Sequence, residues 1–198
     1  MNKKFNDIPV YNNWIKVEPL YKGWSDDEKY YIEDRDGSKF LLRLSDIYFY
    51  DKKKIELENM KLLTILNINT PKPMDMGICN DGNMVYVLLT WLDGIDAIDN
   101  LTFFDNTKQY ELGAQAGKIL KKIHTIKPNH DLPPWEITFQ IAIDRVIDAY
   151  KNCGYKIENE VKIINFIRES EKYLINRPLV YQHGDYHLGN MIITPDNN

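Results

Sequence analysis

An α+β fold in two lobes is what this 198-residue sequence predicts, and three observations carry it. The part before Gly94 reads as strands with one helix, and the part after it reads mainly as helices. A loop rich in turn residues, His183-Gly184-Asp185-Tyr186-His187-Leu188-Gly189-Asn190, then lies between two short apolar segments read as strands, Leu179 to Tyr181 and Met191 to Ile193. Strand alternation followed by helical periods points to an antiparallel sheet with a helical part beside it.

The elements follow in order. Trp14 to Leu20 alternates, with Trp14, Ile15, Val17 and Leu20 apolar, and runs into a turn at Lys22-Gly23-Trp24-Ser25-Asp26-Asp27. Tyr30, Tyr31 and Ile32 make a second strand, closed by Asp34-Arg35-Asp36-Gly37, whose Asp-Gly pair is a hairpin signal. Phe40 to Leu44 makes a third. Lys53 to Asn67 spaces Ile55, Leu62, Leu63 and Leu66 as a helix, with Glu56, Glu58 and Lys61 between them. Thr70-Pro71-Lys72-Pro73 ends it, because a proline disfavours helix in the residue before it. Two strands follow, Met74 to Cys79 and Met84 to Trp91, and Asp93-Gly94 breaks the second. Asn106 with Gln109 three residues on resembles a capping box and opens a helix marked by Leu112, Ala116, Ile119, Leu120 and Ile123. A further helix carries Ile143, Val146, Ile147 and Tyr150. Another runs from about Glu158 to Leu174. The division is therefore 1–92 and 93–198, with a hinge near Thr90 to Gly94 and the turn-rich loop at 183–190.

Composition narrows the classes. A hydrophobic share of 43% beside 27% charged residues suits a globular chain and argues against disorder. A net charge of −4 argues against a nucleic-acid partner and suits a cationic small molecule. Cys79 and Cys153 have neither metal-ligand spacing nor a disulfide framework. The Met1-to-Asp7 segment has no apolar stretch of signal-peptide type, and the run from Val85 to Leu92 is too short to span a bilayer. The expected location is the cytoplasm, with no membrane partner.

Asp185 and Asn190 carry the chemistry. In-line phosphoryl transfer depends on positioning and charge neutralisation more than on covalent catalysis. A carboxylate at Asp185 can orient a hydroxyl and take its proton, and the amide oxygen of Asn190 can hold Mg²⁺. His183 braces the loop. The same residues also suit an ordinary strand–loop–strand, and the two-lobe pattern upstream favours the catalytic reading. Arg43, in an otherwise apolar strand that also carries Lys39 on the same face, needs a partner if it is not a plain surface cation.

Gly23-Trp24-Ser25, Phe40 to Leu44, Leu89-Thr90-Trp91-Leu92-Asp93-Gly94, the helix from Leu112 to His124 and the loop His183 to Asn190 together resemble the aminoglycoside phosphotransferase family, in that family's order. The resemblance covers nearly the whole chain. It implies a protein-kinase-like fold, ATP or GTP with Mg²⁺ as cofactors, and transfer of the γ-phosphate to a hydroxyl of a small molecule. That acceptor is an aminoglycoside or related antibiotic, or a metabolite such as choline, homoserine or a sugar. It makes Asp185 the catalytic base and Asn190 a metal ligand. Arg43 takes the position that is lysine in protein kinases and faces the nucleotide phosphates, paired with Glu58 or, failing that, Glu56. Thr90 and Leu92 offer backbone groups to a purine, Leu89 lines the pocket behind it, and Ser25 donates to the phosphates. Asp26, Asp27 and Glu28 are expected to point to solvent.

The family continues with a strand whose aspartate is the second metal ligand, and the sequence ends at Asn198 before it. The resemblance therefore implies a chain cut off just after the catalytic loop. Such a chain would transfer little phosphate, and apolar faces of its helices from Ile143 to Leu174 would be left open to self-association. The other reading is a noncatalytic kinase-like module that binds nucleotide or a partner chain.

Overall fold

The structure, a computed structural model, describes residues 3–23, 26–128 and 132–195. The alternating segments form β1 (Trp14–Leu20), β2 (Glu28–Asp34) and β3 (Lys39–Asp46), then α1 (Tyr50–Ile65), β4 (Pro73–Cys79) and β5 (Met84–Thr90). The five strands pair antiparallel in the order β1-β2-β3-β5-β4. At the β2–β3 turn the Asp34 carboxylate accepts from the Asp36 and Ser38 amides, and Gly37 takes the positive φ of 77° that the turn needs.

Side chains alternate across this sheet. Ile32, Leu42, Leu44, Tyr86 and Leu88 pack into the core on one face, where Phe5 and Ile8 of the N-terminal segment cover them. Leu41, Arg43 and Ser45 of β3 take the other face, with Arg43 in register with Lys29 on β2 and Val87 on β5. That face meets α1 through Lys53, which is buried and reaches across to Asp27. The helical spacing of Ile55, Leu62, Leu63 and Leu66 placed Ile55 inward, but Ile55 is exposed and Lys53 takes an inward place. Ion pairing of Lys53 outweighs the weak apolar stripe of this helix.

Beyond the hinge come β6 (Ile95–Asp96), α2 (Ala97–Asn100), α3 (Asn106–Ile123), α4 (Trp135–Asn152), α5 (Glu160–Ser170) and β7 (Ile192–Ile193). Helix α5 stops at Ser170 and a 3-10 turn continues from Glu171 to Leu174. β7 pairs antiparallel with β6. The run Leu179 to Tyr181 is not a strand, because no neighbouring strand is presented to it among the described residues. It is tied only through the Tyr181 amide to the Ile126 carbonyl (2.9 Å).

The chain forms two compact units, residues 1–120 with 184–198, and residues 121–183. Within the second, Arg168 bridges Asp144 (2.6 Å) and Glu171 (2.8 Å), and the Tyr150 hydroxyl donates to Glu160 (2.6 Å). Val146, Val161 and Phe166 on its helices are exposed.

In the first unit, β7 fits closely against Gly94. A Cβ on Gly94 would overlap Ile192 Cγ2 and lie 2.6 Å from the Ile193 carbonyl oxygen. Overpacking of this kind costs about 1–3 kcal/mol, so Gly94→Ala is expected to lower the unfolding free energy by that amount and with it the urea midpoint. An unchanged midpoint would mean that β6 and β7 separate freely.

Candidate active site

The loop after residue 183 is built to hold two side chains together. Gly184 turns the chain at φ +81°, and a 3-10 turn spans Leu188 to Asn190. His187 caps that turn, its Nδ1 accepting the Gly189 amide at 3.0 Å. The Asn190 side-chain amide donates to Asp185 Oδ2 (2.8 Å) and to the Asp185 carbonyl (3.0 Å). His187 Nε2 stands 3.4 Å from Asp185 Oδ1. Both flanks are fixed: the Tyr186 hydroxyl donates to the Ala116 carbonyl on α3 (2.7 Å), and the Ala97 amide donates to the Met191 carbonyl (3.0 Å). Asp185 itself is 75% exposed and open to a substrate. His187 was missed from the sequence, although a histidine midway between Asp185 and Asn190 was a visible signal.

With its nitrogen engaged by Asp185, Asn190 turns its oxygen to the remaining side. Among the described residues no cluster of three or more His, Cys, Asp or Glu side chains can hold a metal. Mg²⁺ in nucleotide sites takes one or two protein oxygens and completes its shell with phosphates and water. Asn190 Oδ1 fits as one donor of such a sparse set.

Arg43 is held, but not by helix α1's glutamates. Its Nε donates to Asp27 Oδ2 at 2.8 Å and its Nη2 donates to the same oxygen. Lys53 Nζ also donates to that oxygen (2.8 Å), and the Ser45 hydroxyl donates to Oδ1 (2.7 Å). Glu58 is exposed and lines a surface groove with Tyr50, Lys54, Lys61 and Met74, so the expected Glu58–Arg43 pair does not form. Glu56 instead accepts from Lys53 (3.1 Å). Nor do all three acids of the 26–28 run face water: Asp26 does, whereas Asp27 is almost covered and Glu28 accepts from Lys4 at 2.6 Å. Two cations inside the sheet face supply the reason, since an unpaired buried cation is costly. Burial pushes the Asp27 carboxyl up, but hydrogen bonds from Lys53 and Ser45 and the charges of Arg43 and Lys53 outweigh it and bring it down to about 2. Burial, and then the charge of Arg43, lowers Lys29.

At the hinge, Leu89 is buried on the Arg43 face of the sheet, in register with Leu41. Thr90 is committed to Lys72, its amide donating to the Lys72 carbonyl (2.9 Å) and its hydroxyl accepting from the Lys72 amide (2.8 Å). The Trp91 amide donates to the Lys39 carbonyl (3.0 Å), while Leu92 enters none of the backbone hydrogen bonds found among the described residues outside helices and strands. Ser25 lies outside the described residues. On the same β1–β2 connection, Gly23 takes φ +99°, and a Cβ there would lie 2.6 Å from Lys29 Nζ. Lys22 bridges Asp96 (2.7 Å) and Asp99 (3.0 Å), tying this connection to α2.

No curated protein sequence matches the chain. Among solved structures, the chain is similar to an aminoglycoside phosphotransferase from Streptomyces rimosus in complex with ADP and streptomycin. Identity is 16%, coverage is 91% of this chain and 66% of that one, and the TM-score is 0.57. An amicoumacin kinase in complex with AMP-PNP and Ca²⁺ gives 14% identity, 91% and 56% coverage, and a TM-score of 0.60. The GDP complex of an aminoglycoside 2'-phosphotransferase gives 15% identity, 90% and 60% coverage, and a TM-score of 0.60. The chain thus spans between 56% and 66% of the length of these structures and shares their kinase-like fold. The family model for the phosphotransferase enzyme family matches residues 16–198, and the chain belongs to that family.

Proposed function

We infer that this protein is the nucleotide-binding and catalytic part of a small-molecule kinase, which moves the γ-phosphate of ATP or GTP to an acceptor hydroxyl in the cytoplasm. The observation that carries the reading is the hydrogen-bonded Asp185–Asn190 pair on a loop braced at both ends. Residues 1–92 serve as the nucleotide lobe ending in the hinge. Residues 93–198 contribute helices and the loop 183–190.

In this reading the purine lies against Leu89 and takes backbone contacts from the Thr90 carbonyl and from Leu92, the Thr90 amide being engaged already. Arg43 meets the phosphates with the part of its fork that Asp27 leaves open, and Ser25 donates to them from the β1–β2 connection. Asp185 orients the acceptor hydroxyl and receives its proton, while Asn190 keeps the carboxylate aimed. Asn190 Oδ1 is the atom of this loop that would hold Mg²⁺, which supplies charge neutralisation at the phosphates when bound. The acceptor is an aminoglycoside or related antibiotic, by likeness to relatives whose structures contain streptomycin or act on amicoumacin. The net charge of −4 suits such a cationic acceptor.

Titration of the chain with ATP and with GTP tests the reading. One of the two is expected to bind, and Arg43→Ala to weaken it by about tenfold, the value of a charge-assisted contact to phosphate. Binding of neither nucleotide, or binding indifferent to Arg43, would reject it.

A further inference from the structure

We propose that Asp27 is a positioning residue: through Lys53 it ties Arg43 to helix α1 and aims the open edge of the arginine fork at the nucleotide phosphates, an assignment that rests on the phosphate role of Arg43 given above. Coupling to the helix thus runs through a carboxylate on the β1–β2 side and a helix cation, with no helix glutamate touching the arginine.

The geometry is that of a holder. Asp27 Oδ2 takes Arg43 Nε, Arg43 Nη2 and Lys53 Nζ, and Oδ1 takes the Ser45 hydroxyl. Its side chain is only 9% exposed, so withdrawing it would abandon all four bonds in a place that water barely reaches. Arg43 meets it with one edge of a planar five-donor fork. Among the described residues the rest of that fork has no other partner, and the side chain is 26% exposed. One edge is therefore bound and the other faces out. Lys53, only 7% exposed, joins Asp27 to α1 and donates to a second carboxylate, that of Glu56 one turn on.

The local charges leave room for an anion. Lys29, Arg43 and Lys53 stand against Asp27 and Glu56, a surplus of one positive charge, and Lys29 lies directly opposite Arg43 across β2 and β3. Two effects of losing the Asp27 charge then oppose each other. Removing a negative charge beside Arg43 would draw phosphate more tightly, whereas releasing the fork would misalign its bonds, which weaken steeply with angle. Orientation wins here, because the charge that is lost already has two cations around it while the fork has no second holder.

The sign of the change decides between them. The intact chain and its variants are titrated with ATP and adenosine, and with GTP and guanosine. Asp27→Asn is expected to weaken the triphosphate about tenfold, leave the nucleoside unchanged, and add nothing further in an Arg43→Ala background. Unchanged or tighter triphosphate binding would overturn the proposal, as would an equal loss for the nucleoside, the mark of a purely structural role. Should Asp27→Asn fail to unfold cooperatively, Ser45→Ala decides, since it loosens Asp27 without altering any charge. A loss of about threefold for the triphosphate alone is expected from one hydrogen bond, and an unchanged ratio overturns the proposal. If Arg43→Ala itself has no effect, the phosphate role of Arg43 falls. If only the Asp27 and Ser45 variants have none, the positioning role alone falls.

Discussion

Asp185→Ala is expected to lower acceptor-dependent phosphotransfer by about 10²–10⁴-fold, the contribution of a positioned general base, with nucleotide affinity nearly unchanged. The carboxylate is 75% exposed, and Asn190 and His187, which it meets, belong to its own loop. The change therefore falls on turnover and not on binding. Coupled ADP release measures the first, and nucleotide titration of the same variant measures the second. Near-normal turnover would remove Asp185 from the base role. A matching loss of nucleotide affinity would instead make it part of the binding site.

The second large effect is on stability. Asp27→Ala is expected to destabilise the protein at neutral pH by about 3–5 kcal/mol, because it strips the carboxylate from two cations on a covered sheet face. The lower end is favoured, since Lys53 keeps Glu56 and Arg43 is partly exposed. The pH dependence has a definite sign. The Asp27 carboxyl titrates at about 2 in the folded protein, below its ordinary 3.8. Its stabilisation is thus complete above 3.8 and is lost as pH falls from there through about 2. Urea unfolding across that range should give a shallower acid limb for Asp27→Ala than for the unmodified protein. Identical limbs would mean that the carboxylate is not held by these cations.

The sheet was legible because its strands are apolar runs, alternating in β1 and continuous in β5, and the turns between them carry Gly, Asn or Asp. The same holds for α3, whose apolar positions recur at helical spacing. Along helix α1, Leu62, Leu63 and Leu66 are partly buried as their spacing implies, and Ile55 is the apolar position of the four that is exposed. An inward place goes instead to Lys53, a residue that in the run Asp51 to Lys54 looks like one more solvated charge. For the same reason the partner of Arg43 was sought on that helix. Asp27 sits 16 residues before Arg43 and 26 before Lys53, in a connection of charged and turn residues. Only the folded sheet brings the three together. Leu179 to Tyr181 looked like a strand because short apolar runs do not reveal whether a neighbour is available to pair with them. The 184–190 loop, by contrast, is local: Asp185 and Asn190 are hydrogen-bonded across five residues, and spacing alone was enough to bring them together.

In the proposed function the β1–β2 connection, residues 90–94 and the 184–190 loop form one nucleotide site. Hydrogen–deuterium exchange of the chain with and without ATP or GTP tests it most directly, because it reads all three segments at once. Slower exchange is expected on nucleotide addition at residues 21–27, at Thr90 to Leu92 and at 184–190, with helices α4 and α5 unchanged. Protection confined to α4 and α5, or absent from the hinge while nucleotide is bound, would contradict it.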